Sequence, residues 1–430
     1  MNKLKRRIFF LVILYIPILC NSQDLDYAKH IIKKLASPEL GGRGYVNEGD
    51  RKSADFIAAE YRKLGLESIY TTSYFQKFSI SINTFPSKIN MNLNGKDLVP
   101  GKDYLIEASS PSIKGKFPVI VISRDQIDTK VKTDALIAES GNSFILIDCR
   151  GKKNEPEERA KIIEENISFL KYSPEHNIKG VIIYDDEKLT WEASTFQTSR
   201  PVCIISGNSD PTSIKSIEIT VEARFIQNYE TRNVTGFIKG TSCSDSVIIV
   251  TAHYDHLGKM GKETYFPGAN DNASGVAMIL NLAKYYAVNK PRYTILFVAL
   301  GAEEAGLLGA KAFTENPPLD LKKIRFLVNF DLAGTGDNGI RVVNGSVFRD
   351  KFDLLKNINA REGLLPDVVI RGAACNSDHC LFYKKGVPCF YIYTLGGISA
   401  YHDINDRYET LPLTEFSDYC KLMIEFLKRI

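Results

Sequence analysis

No basic block, CxxC pair, internal repeat, low-complexity tract or apolar run long enough to cross a bilayer comfortably occurs in the 430 residues. Each absence narrows the reading. The formal net charge of +4 is spread along the chain, so the electrostatic footprint of a nucleic-acid binder is missing and nucleic acid is not an expected partner. Without CxxC or mixed Cys/His spacing, a thiolate zinc site is not expected either. What remains is ordinary globular material, 44% hydrophobic and 25% charged, long enough for a large core and a second domain.

The first residues are of a different kind. Lys3, Lys5, Arg6 and Arg7 precede the apolar run 8–20, and a polar switch follows at Asn21. That pattern predicts a signal peptide over 1–22, cleaved after Ser22, and no stable membrane insertion. The expected location is periplasmic or extracellular. A lipid anchor through Cys20 is the lesser alternative, because Pro17, Ile18 and Leu19 do not resemble a lipobox, and an uncleaved anchor is the remaining one. Seven cysteines would stay in the mature chain, an odd count that leaves at least one free thiol. Cys375 and Cys380 are close enough to bridge in an oxidising compartment, with buried free thiols as the equal alternative.

Periodicity divides the rest. Ala28, Ile31, Ile32 and Leu35 fit one helix face, and Ala54, Ile57, Ala58 and Tyr61 fit a second helix that stops at Gly65. Between residues 97 and 228 the texture changes to short apolar runs at 117–123, 143–149, 181–184 and 201–206, with a helix over 156–170. This stretch holds a single histidine, His176, taken with His30 as a surface residue, and reads as a module inserted between 23–96 and 229–430. From about 232 onward apolar strands at 247–252, 293–299 and 325–330 alternate with helices such as 273–286. Strands apolar on both faces with helical crossovers predict an α/β fold, a mainly parallel twisted sheet with helices on both faces. In such sheets the site forms at the carboxyl ends of the strands.

Hydrophilic clusters stand at those ends. His253-Tyr254-Asp255 follows the first strand, Glu303-Glu304 the second, and Asp331 the third; Asn270-Asp271-Asn272 and Tyr401-His402-Asp403 sit in connections. Singly these have plain explanations. A lone histidine is usually a hydrogen-bonded structural residue, Asp271 could cap the following helix, and Glu303 and Glu304 could offset a helix dipole. Together, imidazoles and carboxylates converging on one sheet edge suit zinc, and a shared carboxylate is the economical way to hold two ions close together.

At this point the order of the motifs is specific. Ala252-His253-Tyr254-Asp255-His256, the run Gly268 to Gly275, Gly301-Ala302-Glu303-Glu304 through Gly309, Asn329-Phe330-Asp331 and Tyr401-His402-Asp403 resemble the motifs of the co-catalytic di-zinc aminopeptidases, metallopeptidase family twenty-eight. Leu40-Gly41-Gly42-Arg43-Gly44 is similar to that family's N-terminal segment, and residues 97–228 to the protease-associated domain that many secreted members insert. The resemblance implies a zinc-exopeptidase fold and two zinc ions. His253 and Asp331 would ligate the first ion and Glu304 and His402 the second, with Asp271 bridging. Glu303 would be the general base, and Asp255 would orient His253. The implied substrates are peptides with a free N-terminus. Asn376 departs from the pattern, standing where several relatives place an oxyanion tyrosine before Ser377-Asp378-His379; its amide or Tyr401 would have to donate instead. His256 and His379 are expected to be structural. A glutamate-type carboxypeptidase, with Arg371 as carboxylate clamp, and a receptor-like relative without metals are the competing readings.

Overall fold

The computed structural model describes residues 24–430, so the expected leader 1–22 and Cys20 lie outside the described residues. The chain enters through the helix Leu25–Leu35, started by the Asp24 carboxylate accepting the Tyr27 N–H at 2.8 Å. Its Ala28, Ile31, Ile32 and Leu35 form a buried stripe at helical spacing, and the helix Gly49–Lys63 buries Ala54, Ile57, Ala58 and Tyr61 in the same core.

That core lies on one face of an eight-stranded sheet. Its strands run in the order Phe75–Thr84, Arg224–Ile238, Tyr293–Leu300, Cys243–His253, Ile324–Phe330, Cys389–Thr394, Ile340–Val343 and Val368–Ile370. Along Cys243–His253 the side chains alternate. Ile248, Val250 and Ala252 face the helices Gly275–Val288 and Phe416–Leu427, whereas Val247 and Ile249 pack with Phe313 and Phe382 on the opposite side. Each fully buried residue of this size stabilises the fold by about 1.5–3 kcal/mol, which is why these strands read as unbroken apolar runs.

At the centre of the sheet Tyr293–Leu300, Cys243–His253, Ile324–Phe330 and Cys389–Thr394 lie side by side in parallel, and at one edge Ile340–Val343 pairs parallel with Val368–Ile370. Antiparallel pairing joins the central four to their neighbours on either side and Phe75–Thr84 to Arg224–Ile238. The expected mainly parallel sheet is therefore mixed, for a topological reason: Phe75–Thr84 runs out towards a second layer and Arg224–Ile238 returns from it, so the two meet head to tail.

The second layer has its own eight-stranded sheet. Ile113–Ser123, Phe144–Asp148, Gly180–Asp185 and Val202–Ser206 form its parallel part, with the helix Glu157–Tyr172 joining the second and third. Its edges differ from the expected 97 and 228. Ile89–Leu93 pairs antiparallel with Ser216–Val221, and Arg224–Ile238 belongs to the first sheet, so the layer spans 89–221. Leu257, Met260 and Phe266, from the segment after His253, share an apolar cluster with Phe85, Tyr104 and Trp191. The two layers thus meet beside the chain that carries Asp271.

Two smaller expectations are decided here. His176 is buried rather than superficial, only 8% exposed, packed against Phe169 with its Nε2 3.2 Å from the Phe169 carbonyl. Cys375 and Cys380 are bonded to each other, while Cys149, Cys203, Cys243, Cys389 and Cys420 are free.

Candidate metal centre

The four adjacent parallel strands end at one edge, and that register assembles the site. His253 closes its strand, Glu303 and Glu304 follow Leu300, Asp331 follows Phe330, and the loop carrying His402 follows Thr394. Asp271 arrives on the connection into Gly275–Val288, after Gly268 at φ +60°, where a Cβ would lie 2.2 Å from the Asp271 carbonyl and 2.4 Å from the His256 ring. A side chain cannot occupy that position.

Asp271 stands between the two ligand-type histidines. Its Oδ1 is 3.3 Å from His253 Nε2 and its Oδ2 is 3.1 Å from His402 Nε2. On one side Asp331 Oδ1 lies 3.4 Å from His253 Nε2; on the other Glu304 Oε2 lies 3.4 Å from His402 Nε2. Glu303 joins the first half, with a carboxylate oxygen within 4.8 Å of donor atoms of His253 and Asp331. All five sequence-predicted ligands and the predicted base therefore come together.

The tautomers are fixed from behind. His253 Nδ1 faces the Asp255 carbonyl at 3.2 Å and His402 Nδ1 faces the Trp191 carbonyl at 3.0 Å. A carbonyl only accepts, so each Nδ1 carries a hydrogen and each Nε2 is left facing carboxylate oxygens. Lone pair against lone pair is unfavourable, so a proton or a metal cation must stand between each Nε2 and those oxygens. Imidazole nitrogen with carboxylate oxygen suits zinc, so the residues fit that ion.

Charge leads the same way. Asp255, Asp271, Glu303, Glu304, Asp331 and Asp378 converge, and buried carboxylates without counter-charge are costly. Burial and the Asp271 charge push Glu304 up to about 7. Burial, with Asp255, Asp331 and Glu304 nearby, pushes Asp378 up to about 8. Burial and the Asp378 carboxylate hold Glu303 well above the usual carboxylate range. Burial would raise Asp271 too, yet hydrogen bonds with His253 and His402 hold it well below. Burial opposes charging of His253, but Glu303 and Asp331 beside it outweigh that and draw protons to the ring. Protons here occupy the place a dication would fill.

Other residues hold this frame. Asp255 does not face His253 with its carboxylate alone, which stays 3.8 Å away; Oδ1 and Oδ2 accept the Glu303 and Glu304 N–H groups at 3.0 and 3.3 Å. It fixes the main chain of Glu303 and Glu304, and its own carbonyl orients His253. His256 Nδ1 lies 2.8 Å from Glu304 Oε1, leaving Oε2 turned to His402. Ser377 Oγ donates to Asp331 Oδ2 at 3.1 Å, and His379 Nε2 faces the Ala374 carbonyl at 2.9 Å. Sequence reasoning assigned no role to Asp378, whose two buried carboxylate oxygens have no hydrogen-bond partner, or to Asp406, which accepts the Asn270 and Asp271 N–H groups at 2.8 and 2.9 Å. Arg43 is fully buried, and its guanidinium donates to the carbonyls of Leu35, Tyr254, Pro267, Gly268 and Asp271. A Gly-Gly-Arg-Gly run marks the position in the sequence, though not what it holds. Tyr401 stacks on His402 with ring centroids 4.0 Å apart. It is 45% exposed, and partial burial with the Asp271 charge raises the hydroxyl's pKa, so the hydroxyl stays protonated.

Aminopeptidase YwaD of Bacillus subtilis is 26% identical over 370 residues, 84% of this chain and 74% of its own. The probable lipoprotein aminopeptidase LpqL of Mycobacterium tuberculosis is 33% identical over 144 residues, 33% of this chain and 26% of its own. Among solved structures, BSAP, a zinc aminopeptidase from Bacillus subtilis, superposes with a TM-score of 0.67 at 20% identity, covering 94% of each chain. Residues 233–427, which carry every ligand-type residue above, match the model of peptidase family M28, and this part of the chain is a domain of that family.

Proposed function

We propose that the chain is an exported aminopeptidase that uses two zinc ions to release N-terminal residues from peptides. The observation that carries this reading is the placement of Asp271, one oxygen towards His253 and the other towards His402. On this reading His253 and Asp331 hold one zinc, Glu304 and His402 the other, and Asp271 both. When bound, a zinc pair supplies Lewis acidity and an activated water.

The chain's own residues do the rest. Glu303, anchored through its N–H to Asp255, is the basic group beside the centre. Its carboxylate takes a proton from the attacking water and returns it to the departing amine nitrogen, a role typically worth on the order of 10²- to 10⁴-fold. Tyr401, stacked on His402 with its hydroxyl protonated, is the donor available to the developing oxyanion, since Asn376 replaces the tyrosine of several relatives. The surplus of carboxylates favours a substrate's α-ammonium over a C-terminal carboxylate. Arg371, the clamp a carboxypeptidase would need, donates Nη1 to the Tyr393 hydroxyl at 3.0 Å.

The second layer, residues 89–221, corresponds on this reading to the protease-associated domain of secreted relatives. Export accords with the Cys375–Cys380 bond and with the basic and apolar start of the sequence. The test is hydrolysis of amino-acid p-nitroanilides by the zinc-loaded chain beside their N-acetylated forms. Cleavage restricted to the free amines is expected; cleavage of both alike, or of neither, would contradict the assignment.

A further inference from the structure

His402 has a left-handed backbone, φ 52°, a conformation disfavoured for a residue with a Cβ and kept only where the surroundings over-determine it. What determines it lies in the second layer. The Trp191 N–H donates to the His402 carbonyl at 2.9 Å, and His402 Nδ1–H donates back to the Trp191 carbonyl at 3.0 Å. Three residues earlier, Lys188 Nζ donates to the carbonyls of Ser399 and Tyr401 at 2.7 and 3.1 Å and pairs with the Asp403 carboxylate at 2.6 Å. These partners use all three ammonium hydrogens and bracket His402 on both sides.

The anchor behind them is firm. Trp191 is buried, donates Nε1–H to the Ile106 carbonyl at 2.7 Å and stacks on Phe266 with centroids 4.6 Å apart. At its far end the same loop carries Asp406, bound to the amides of Asn270 and Asp271. The loop is thus tied to the second layer on one side and to the bridging carboxylate's main chain on the other.

We propose that Lys188 and the Trp191 main chain are positioning groups for His402, fixing its tautomer and backbone so that Nε2 faces Asp271 and Glu304. The second layer then completes the metal centre instead of merely covering it. This rests on the two-zinc reading above. Lys188 borders a cleft of about 670 Å³ and its side chain is 44% exposed, so shortening it removes the tie without opening a core.

The test is zinc titration of the chelator-stripped full chain against a competing chelator, comparing wild type with Lys188→Met. The variant is expected to keep its first zinc at wild-type affinity and to bind the second about 10- to 100-fold more weakly, the usual effect of losing a group that orients a ligand. Unchanged affinity for both ions, or equal weakening of both, would overturn the proposal. Coupling is reciprocal, so in the wild type the second zinc should slow hydrogen exchange at the Trp191 amide and the first should not. Exchange indifferent to the second zinc would overturn it even if the variant failed to fold. A wild type that takes up a single zinc would instead refute the two-zinc reading on which the proposal stands.

Discussion

Replacing Arg43 by methionine keeps the apolar stem and removes the head that donates to five main-chain carbonyls, those of Leu35, Tyr254, Pro267, Gly268 and Asp271. The site is fully buried, so the acceptors cannot simply turn to solvent. One or two waters can enter the space left by the guanidinium, which leaves two or three carbonyls dry at about 1–3 kcal/mol each, or roughly 2–9 kcal/mol in all. Two of the five, those of Gly268 and Asp271, belong to the run that presents the Asp271 carboxylate, so on the proposed two-zinc reading zinc affinity should fall as well. Urea unfolding of the chelator-stripped chain, followed by far-UV circular dichroism, measures the stability. The Arg43→Lys variant keeps at most three donors and should fall between wild type and Arg43→Met. An Arg43→Met midpoint equal to that of wild type would refute the view that this guanidinium organises the loop.

Glu303→Gln keeps the shape and the N–H bond to Asp255, so it should retain both zinc ions by elemental analysis while turnover drops by about 10²- to 10⁴-fold; a wild-type rate would remove Glu303 as the base. Burial raises the Asp50 carboxyl to about 6 against hydrogen bonds from Tyr229 and Thr231. The folded chain therefore holds that proton more tightly than the unfolded chain, where it leaves near pH 4. Stability from this group is complete below about pH 4 and is lost as the pH rises through about 6, by roughly 3 kcal/mol in total. Asp50→Asn should flatten that slope in unfolding midpoints measured from pH 4 to 8, and an unaltered slope would contradict it. Replacing both Cys375 and Cys380 by serine opens a loop of six residues and should cost about 2 kcal/mol. It should also weaken the first zinc by freeing Ser377 from Asp331; thermal unfolding and zinc competition would detect either effect.

Much of the centre was legible because its residues stand where unbroken apolar runs stop. His253, Glu303, Glu304 and Asp331 each follow a strand buried on both faces, and four such strands lie parallel in the sheet. Other parts depend on contacts that leave no local trace. The boundary near 97 cuts a hairpin, since Ile89–Leu93 pairs with Lys96–Leu98 across Asn94-Gly95, a turn signal present in the sequence, while the pairing that ties this hairpin to the second layer comes from Ser216–Val221, more than a hundred residues away. His176 is buried by Phe169 and Arg200, neither at a spacing that signals burial. Asp378 looks like any helix-opening carboxylate until the fold sets it near His253, Asp255 and Asp331. Asp255 carries a role that residue type alone misassigns in part, since its carboxylate holds two amides and its carbonyl holds the histidine.

The most direct test of a two-zinc centre bridged by Asp271 is a count of zinc bound at saturation, per chain, for wild type and His402→Ala. Two ions in the wild type and one in the variant are expected. One ion in the wild type, or two in the variant, would contradict the arrangement.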